Sequence, residues 1–91
     1  MGSAVRDNTA GHRFELERNG HLAFANYERR SSSLVIRHVE AAVPLRGTGA
    51  ADELMRGVAE IARAEGRKIT PLCGYAHAWI RRHKEFHDLL N

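Results

Sequence analysis

Two glycines, Gly47 and Gly49, stand directly before the longest helical pattern of the chain, in the stretch PLRGTGAADELM at positions 44–55. Glycine is a poor residue for the start of a helix unless the backbone must turn sharply or let a neighbour come close. After this turn, apolar residues recur at steps of three and four and predict an amphipathic helix. They are Ala51, Leu54, Met55, Val58, Ile61 and Ala62. The fold must therefore carry a glycine turn at the entry to a half-buried helix.

The segment before the glycine turn is typical of antiparallel strands. Residues 13–18 alternate apolar and charged side chains. The Asn-Gly pair at 19–20 indicates a hairpin, because a type I′ turn needs positive φ at both central residues. We therefore predict a returning strand at 21–28 and a third strand at 34–43. Pro44 ends the third strand, since proline has no amide hydrogen to donate to a ladder.

The segment after the helix completes the fold. Gly66 stands where a C-terminal glycine cap belongs, and residues 68–72 predict a short fourth strand. Residues 74–90 predict a second helix with a break near His83. The order is β-β-β-α-β-α, and a helix that connects two neighbouring strands makes them parallel. The sequence thus predicts an α+β fold, a mixed sheet with three antiparallel strands first and the helices packed on it.

Length and composition are those of one domain. Of the 91 residues, 43% are hydrophobic and 27% are charged, which is typical of a soluble globular protein. We expect a flexible polar tail at 1–10 and a single domain at 11–91. No apolar run approaches the roughly 20 residues of a membrane span, so no membrane partner is expected. The single cysteine, Cys73, suits a reducing compartment, and we expect a cytoplasmic protein.

The glycine turn is a candidate anion site. The first amides of a helix have no internal acceptor and carry partial positive charge, and glycines let them approach a phosphate closely. The net charge of +3 also favours an anionic ligand. The candidate binding residues are Arg46, Gly47, Thr48, Gly49, Ala50 and Ala51. No Walker loop is present, Asp52 stands where the dinucleotide fingerprint needs its third glycine, and a plain glycine corner is the alternative.

The same stretch resembles the acetyl-CoA signature of the GNAT acetyltransferases. Arg46, Gly49 and Ala51 match the pattern Arg/Gln-x-x-Gly-x-Gly/Ala between a strand and a helix. A second stretch, RKITPLCGYAHAWIRRHKEF at 67–86, resembles the end of the short YjdJ-type GNAT domain. Its matching residues are Lys68, Ile69, Pro71, Cys73, Tyr75, Arg82, His83 and Glu85. The resemblance covers residues 11–90 and implies a minimal GNAT-like sheet that binds acetyl-CoA and transfers its acetyl group to an amine.

The resemblance also implies roles for residues near the turn. The strand before the glycine loop would offer the amides of Ala42 and Val43 to the thioester arm. Cys73 would line the thioester end of the site and is a candidate nucleophile, with a buried small hydrophobe as the alternative. Arg82 and His83 can meet the phosphates of coenzyme A or form a solvated basic edge.

Two residues compete for the role of general base. The family that the chain resembles commonly has a histidine four residues before the proline of a Val-Pro pair, and this chain has Glu40 there. His38 lies two positions earlier, and strand alternation puts both side chains on one face. Either can take a proton from the amine, and Glu40 can also be a solvent-facing strand residue. Tyr75 can donate a proton to the departing thiolate or cover the core beside Trp79.

A nucleic-acid-binding module is the main rival to acetyl transfer. The basic segments at 29–30 and 81–84 can form a basic edge, with Tyr27 or Trp79 as platforms for base stacking. The net charge is modest, however, and the aromatic residues are not interleaved with the basic ones. We therefore expect no nucleic-acid partner.

Two further alternatives use the same residues. A zinc site would require the pairs Cys73/His77 and His83/His87 to converge, and we expect no metal. A small domain of this kind can also bind acetyl-CoA without efficient catalysis. The sequence leaves the acceptor open between a small amine and an exposed protein lysine, and a monomer is the expected state.

Overall fold

Residues 4–91 are described here by a computed structural model, in which five strands form one sheet. The strands are β1 (Arg6–Asn8), β2 (Arg13–Arg18), β3 (His21–Arg29), β4 (Ser33–Ala41) and β5 (Lys68–Pro71). The helices are α1 (Ala50–Glu65) and α2 (Gly74–Arg82), with 3₁₀ turns at Val43–Leu45 and Lys84–Leu89. The strands lie in chain order, with β4 and β5 parallel and the others antiparallel. The predicted α+β fold with a mixed sheet is confirmed.

Local sequence signals account for the ends of most elements. Asn19 and Gly20 adopt φ angles of 53° and 79° between β2 and β3, as a type I′ hairpin requires. Gly66 ends α1 with a φ of 70°. The C-terminal helix breaks at His83, the predicted position, and continues as a 3₁₀ turn. Within residues 4–91, neither helix combines the length and apolar character needed to cross a membrane.

Both helices pack on the same face of the sheet. α1 contacts β2, β3 and β4 through its apolar stripe, of which Leu54, Met55 and Val58 are fully buried. Trp79 of α2 is also fully buried and belongs to the same hydrophobic core. Each large side chain buried in this way contributes roughly 1.5–3 kcal/mol. The core therefore fixes the start of α1 and the start of α2 relative to β4.

β1 corrects the expectation of a flexible tail at 1–10. Arg6–Asn8 pairs with β2 as an edge strand, although its three polar residues carry no strand signal. Residues 1–3 of the predicted tail lie outside the described residues. The sheet thus extends one strand further than the sequence predicts.

A buried carboxylate holds β1 in place. Glu15 on β2 accepts hydrogen bonds from Arg6 at 2.9 Å, Asn8 at 2.9 Å and Arg13 at 2.6 Å. The hydrogen bond from Asn8 and that from Arg13 hold the pKa of Glu15 below its ordinary value of 4.5. The ionised carboxylate therefore stabilises an edge strand whose polar residues hydrophobic burial cannot stabilise.

The pairing of β4 with β5 ends early, and this shapes the site. The ladder stops at the pair Ile36 and Pro71, after which the amides of Leu72 and Cys73 both donate to the Ile36 carbonyl. Arg37 is an extra residue on β4, a bulge between the pairs that Ile36 and His38 make with β3. β4 then continues to Ala41 without a partner on its β5 side, two residues short of its predicted end.

We expect Glu15→Gln to lower the free energy of unfolding by about 1–2 kcal/mol at pH 7, because hydrogen bonds to a charged group are lost. The folded pKa lies below the unfolded one, so this stability is present above the unfolded pKa and is lost as the pH falls through the folded pKa. Urea unfolding should therefore show the wild type and the variant converging from about pH 5 to about pH 2.

The matched control for this measurement is Glu60→Gln, which removes an exposed carboxylate on α1. It should leave the pH dependence of the wild type unchanged. Curves for the wild type and Glu15→Gln that stay equally far apart through the acid range would contradict the account of β1.

Candidate functional site

A cleft of about 330 Å³ lies where the free end of β4 meets the start of α1. Its lining residues come from both sides of the glycine turn and from the first turn of α2. They are Ala41, Leu45, Arg46, Gly47, Gly49, Ala50, Ala51, Asp52 and Tyr75. The structure thus brings together five of the six residues predicted to form the anion site.

The amides at the start of α1 have no acceptor in the part of the chain that the structure describes. They belong to Gly47, Gly49, Ala50, Ala51 and Asp52, and the first bonded amide of the helix is that of Glu53, which donates to the Gly49 carbonyl at 3.0 Å. Unpaired amides at the end of a 16-residue helix carry partial positive charge. The cleft is therefore lined by donors that a bound anion can satisfy.

Both glycines of the turn keep space open in front of these donors. Gly47 and Gly49 adopt φ angles of 78° and 86°, which side-chain-bearing residues rarely adopt. A Cβ built on either glycine would meet no atom within 4 Å. A β-branched side chain there would fill empty space at the mouth of the cleft, where an anion would approach the amides.

The two polar side chains of the turn behave differently from each other. Arg46 is exposed at the edge of the cleft, and its Nε donates to the Ala41 carbonyl at 3.1 Å. The Thr48 hydroxyl donates to the Leu45 carbonyl at 2.5 Å, and Thr48 does not line the cleft. Thr48 therefore closes the turn, and its contact with the ligand stays a prediction.

The free edge of β4 offers a second set of backbone groups, and of the two predicted amides only that of Val43 is unbonded within residues 4–91. The Ala42 amide donates to the Leu22 carbonyl of β3 at 2.9 Å and is not available to a ligand, which corrects its predicted role. Because pairs alternate along an antiparallel ladder, Ala41 and Val39 direct their amides and carbonyls away from β3, toward the open side. The Val43 amide has no acceptor within residues 4–91.

Asp52 ties α2 to the start of α1. The indole Nε1 of Trp79 donates to Asp52 Oδ1 at 2.7 Å, and His83 Nε2 lies 3.5 Å from the same oxygen. The His83 ring stacks on Trp79 at 3.9 Å, and its Nδ1 lies 2.6 Å from the Trp79 carbonyl oxygen. Both ring nitrogens of His83 thus face partners inside the fold, and its contact with the phosphates of coenzyme A stays a prediction. Arg82 is exposed and does not line the cleft.

His38 and Glu40 lie on the face of the sheet away from the helices, as alternation predicts. His38 Nε2 lies 2.9 Å from Glu40 Oε1, and their side chains are 53% and 51% exposed. Within residues 4–91, Glu40 has no arginine or lysine partner. The pair therefore presents a carboxylate and an imidazole to solvent beside the free edge of β4.

Cys73 and Tyr75 lie at the start of α2. Cys73 is the N-cap residue, is partly buried against the core and does not line the cleft. Tyr75 lines the cleft, and burial, together with the charge of Asp52, raises the pKa of its phenol above 10. The Tyr75 hydroxyl is therefore protonated at neutral pH and can donate a proton into the cleft.

The structure buries the two rings that the nucleic-acid alternative needs for base stacking. Tyr27 is 5% exposed and Trp79 is fully buried, so neither ring can stack on a base. Arg29 forms ion pairs with Asp7 and Glu65 and is therefore not an unpaired surface charge. Among residues 4–91, we find no group of three histidine, cysteine or acidic side chains placed to hold a metal ion.

Three of the lining residues carry no sequence signal for the site, Ala41, Leu45 and Asp52. Ala41 and Leu45 match no motif, and Asp52 is only a misfit to the dinucleotide fingerprint. Asp52 is held at the cleft by its contact with the Trp79 indole of a distant segment. Only a pairing between α1 and α2 could have revealed the role of Asp52.

Comparison with known proteins identifies the family. A search of curated protein sequences returned no significant match. The family model described as GCN5-related N-acetyl-transferase matches residues 13–89, nearly the whole of the described chain. This match agrees with the strand, glycine turn and helix that form the cleft. The chain belongs to the GCN5-related N-acetyltransferase family.

Proposed function

We propose that this acyltransferase binds acetyl-CoA in the cleft and transfers the acetyl group to a primary amine that approaches from the open face of the sheet. The observation that carries the proposal is the set of amides without an acceptor in residues 4–91 that line a cleft kept open by two glycines, those of Gly47, Gly49, Ala50, Ala51 and Asp52. Acetyl-CoA is the usual cosubstrate of the family, and its diphosphate is the anion that such a cradle suits.

The binding energy would come first from the diphosphate. Each hydrogen bond from an amide to a charged oxygen contributes about 1.5–3 kcal/mol. The Arg46 guanidinium, now bonded through Nε to the Ala41 carbonyl, stands at the edge of the cleft and can add a fork of donors. Asp52 opposes an anion in the cleft, but Trp79 donates to its carboxylate and reduces this repulsion.

The arm of the cosubstrate would pair with the free edge of β4. Val39 offers an amide donor and a carbonyl acceptor there, and Ala41 offers its amide, in the way that an added strand extends a sheet. The Ala41 carbonyl would become available once Arg46 turns from it to the diphosphate. This pairing would lead the thioester from the glycine turn toward the point where β4 and β5 separate. Glu40 lies on the one side of that edge, and Tyr75 on the other.

The transfer step needs a base for the amine and an acid for the sulfur. The Glu40 carboxylate, with His38 at 2.9 Å, accepts a proton from the incoming ammonium group. The amine nitrogen then forms a bond to the carbonyl carbon, the bond from that carbon to sulfur breaks so that the sulfur leaves as a thiolate, and the nitrogen still has one proton to lose. The Tyr75 phenol, which is protonated at neutral pH, gives its proton to the leaving thiolate, and the resulting phenolate takes the remaining proton from the nitrogen.

Gly49→Val should abolish the increase in Tm that acetyl-CoA gives the wild type, because a β-branched side chain would block the amides. At a hundredfold excess over Kd, the wild type should gain roughly 2.7 kcal/mol of stability. Gly66→Val is the matched control, since Gly66 also has positive φ and open space around its Cβ but lies at the far end of α1.

Both valine variants should lose stability to a similar extent, by about 1–2 kcal/mol for a side chain in the left-handed region. Gly66→Val should keep the full shift with acetyl-CoA. If Gly49→Val is stabilised by acetyl-CoA as much as Gly66→Val, the glycine turn does not hold the diphosphate.

Glu40→Gln should lower kcat/KM for an amine acceptor by about 100-fold or more, the usual contribution of a general base. The acetyl-CoA thermal shift should be unchanged, because the cradle lies elsewhere. Glu28→Gln is the control on the same strand pair, since Arg30 and Arg37 already neutralise Glu28. Steady-state rates with saturating acetyl-CoA give the comparison.

Removal of the Cys73 thiol distinguishes direct acetyl transfer from transfer through an acetylated cysteine. Cys73→Ser should keep kcat within about tenfold of the wild type, because no bond to Cys73 is required. An acetyl group on Cys73 in the mass spectrum, with loss of turnover in the serine variant, would contradict direct transfer. Full acetyl-CoA binding without turnover in the wild type would instead favour a binding protein without efficient catalysis.

A further inference from the structure

The glycine turn is tethered to the sheet by an arginine that takes no part in the proposed chemistry. Arg18, the last residue of β2, reaches the turn from the hairpin end of the sheet. Its Nη1 donates to the Thr48 carbonyl at 3.5 Å, a long hydrogen bond that the charge of the guanidinium strengthens. Its Nη2 donates to the carboxylate of Glu53 in the first turn of α1. One guanidinium thus connects β2, the glycine turn and α1.

The carbonyl that Arg18 contacts belongs to the same peptide unit as the Gly49 amide. In a trans peptide the C=O and the N–H point in opposite directions, so a donor bound to the carbonyl directs the N–H to the other side. Gly49 lines the cleft, whereas Thr48 and Arg18 do not. Arg18 therefore holds this peptide from the side away from the cleft, and the N–H faces the cleft.

The orientation of the Thr48 carbonyl also decides where α1 begins. If the helix began one residue earlier, the Asp52 amide would donate to this carbonyl and would be lost to a ligand. The carbonyl turns to Arg18 instead, and the Asp52 amide has no acceptor within residues 4–91. The first helical bond is then the one from the Glu53 amide to the Gly49 carbonyl. The contact with Arg18 thus leaves an additional amide free at the cleft.

Glycine makes the opposite orientation of this peptide accessible. Gly49 has a φ of 86°, and a half-turn of the Thr48–Gly49 peptide would move it to negative φ, which glycine adopts about as readily. That half-turn would put the Thr48 carbonyl oxygen in the cleft, where it would repel the oxygens of a diphosphate. Something outside the turn must therefore favour the orientation with the donor in the cleft, and Arg18 is placed to do so.

We propose that Arg18 is a positioning residue of the acetyl-CoA site, which holds the Thr48 carbonyl away from the cleft, directs the Gly49 amide into it and keeps the Asp52 amide free. This inference rests on the proposed function and adds to it a residue that does not touch the cosubstrate. A turn that is ordered before the ligand arrives lowers the cost of binding. The fork of an arginine can serve the Glu53 carboxylate and the Thr48 carbonyl at once.

The test compares Arg18→Met with Glu53→Gln, two variants that break the same ion pair from opposite sides. Both should lose stability in urea to a similar extent. Only Arg18→Met loses the donor to the Thr48 carbonyl. Its Kd for coenzyme A, measured by isothermal titration calorimetry, should rise at least about threefold as the binding-competent orientation becomes less populated. Glu53→Gln should bind coenzyme A at least as tightly as the wild type, because it removes a negative charge.

Ionic strength separates positioning from simple attraction between Arg18 and the diphosphate. Attraction between exposed charges is screened in concentrated salt, whereas the orientation of a peptide unit is not. The difference in Kd between Arg18→Met and the wild type should therefore persist at about 0.5 M sodium chloride. In steady-state assays, Arg18→Met should raise the KM for acetyl-CoA by the same factor and leave kcat unchanged, because the proposed base and acid lie elsewhere.

Arg18→Lys carries the same test if Arg18→Met does not fold. It keeps the charge, but its single nitrogen cannot serve both partners in the geometry of the fork, so its Kd should also rise. Wild-type affinity in both arginine variants, a loss that disappears in concentrated salt, or an equal loss in Glu53→Gln would overturn the inference and leave acetyl-CoA binding intact. Absence of coenzyme A binding by the wild type would overturn the proposed function itself.

Discussion

The pairing of β4 with β5 stops at Ile36 and Pro71, and the candidate site depends on this separation of the two strands. Pro71 has no amide hydrogen, Arg37 forms a bulge on β4, and the chain after β5 turns into α2 within three residues. Within residues 4–91, no strand pairs with β4 beyond this point on that side, and the Ala41 carbonyl accepts a hydrogen bond from Arg46 Nε. An unpaired strand edge is usually a liability that proteins cover. Here it lies beside the cleft, where the arm of the proposed cosubstrate would pair.

The start of α1 completes this arrangement. The short turn after β4 brings five unbonded amides to the end of the free edge, so that polar backbone groups run from the middle of the sheet to the helix N-terminus. Asp52, held by Trp79 and approached by His83, keeps α2 against α1 on the far side of the cleft. The same contacts place Tyr75 at the cleft and leave Glu40 on the opposite face of the sheet. Cosubstrate and acceptor can thus reach the edge of β4 from different sides.

Local signals in the sequence were sufficient for the hairpin at Asn19-Gly20, for α1 with its Gly66 cap and for the break at His83. They also predicted the shared face of His38 and Glu40, and the role of the glycine turn as an anion site stays a prediction. They failed where contacts between residues far apart in the sequence determine the structure. β1 has no pattern of its own and depends on Glu15. The position where β4 loses its neighbour depends on β5, so the sequence could not separate the bonded Ala42 amide from the free edge at Ala41 and Val39.

The central claim is that backbone amides at the start of α1 hold the diphosphate of coenzyme A. Titration of ¹⁵N-labelled protein with coenzyme A, followed by amide chemical shifts, tests it most directly, because each amide reports separately. We predict the largest shifts at Gly47, Gly49, Ala50, Ala51 and Asp52, and their loss when pantetheine without the nucleotide and diphosphate is used. Coenzyme A shifts confined to other parts of the chain, with these five amides unmoved, would contradict the account.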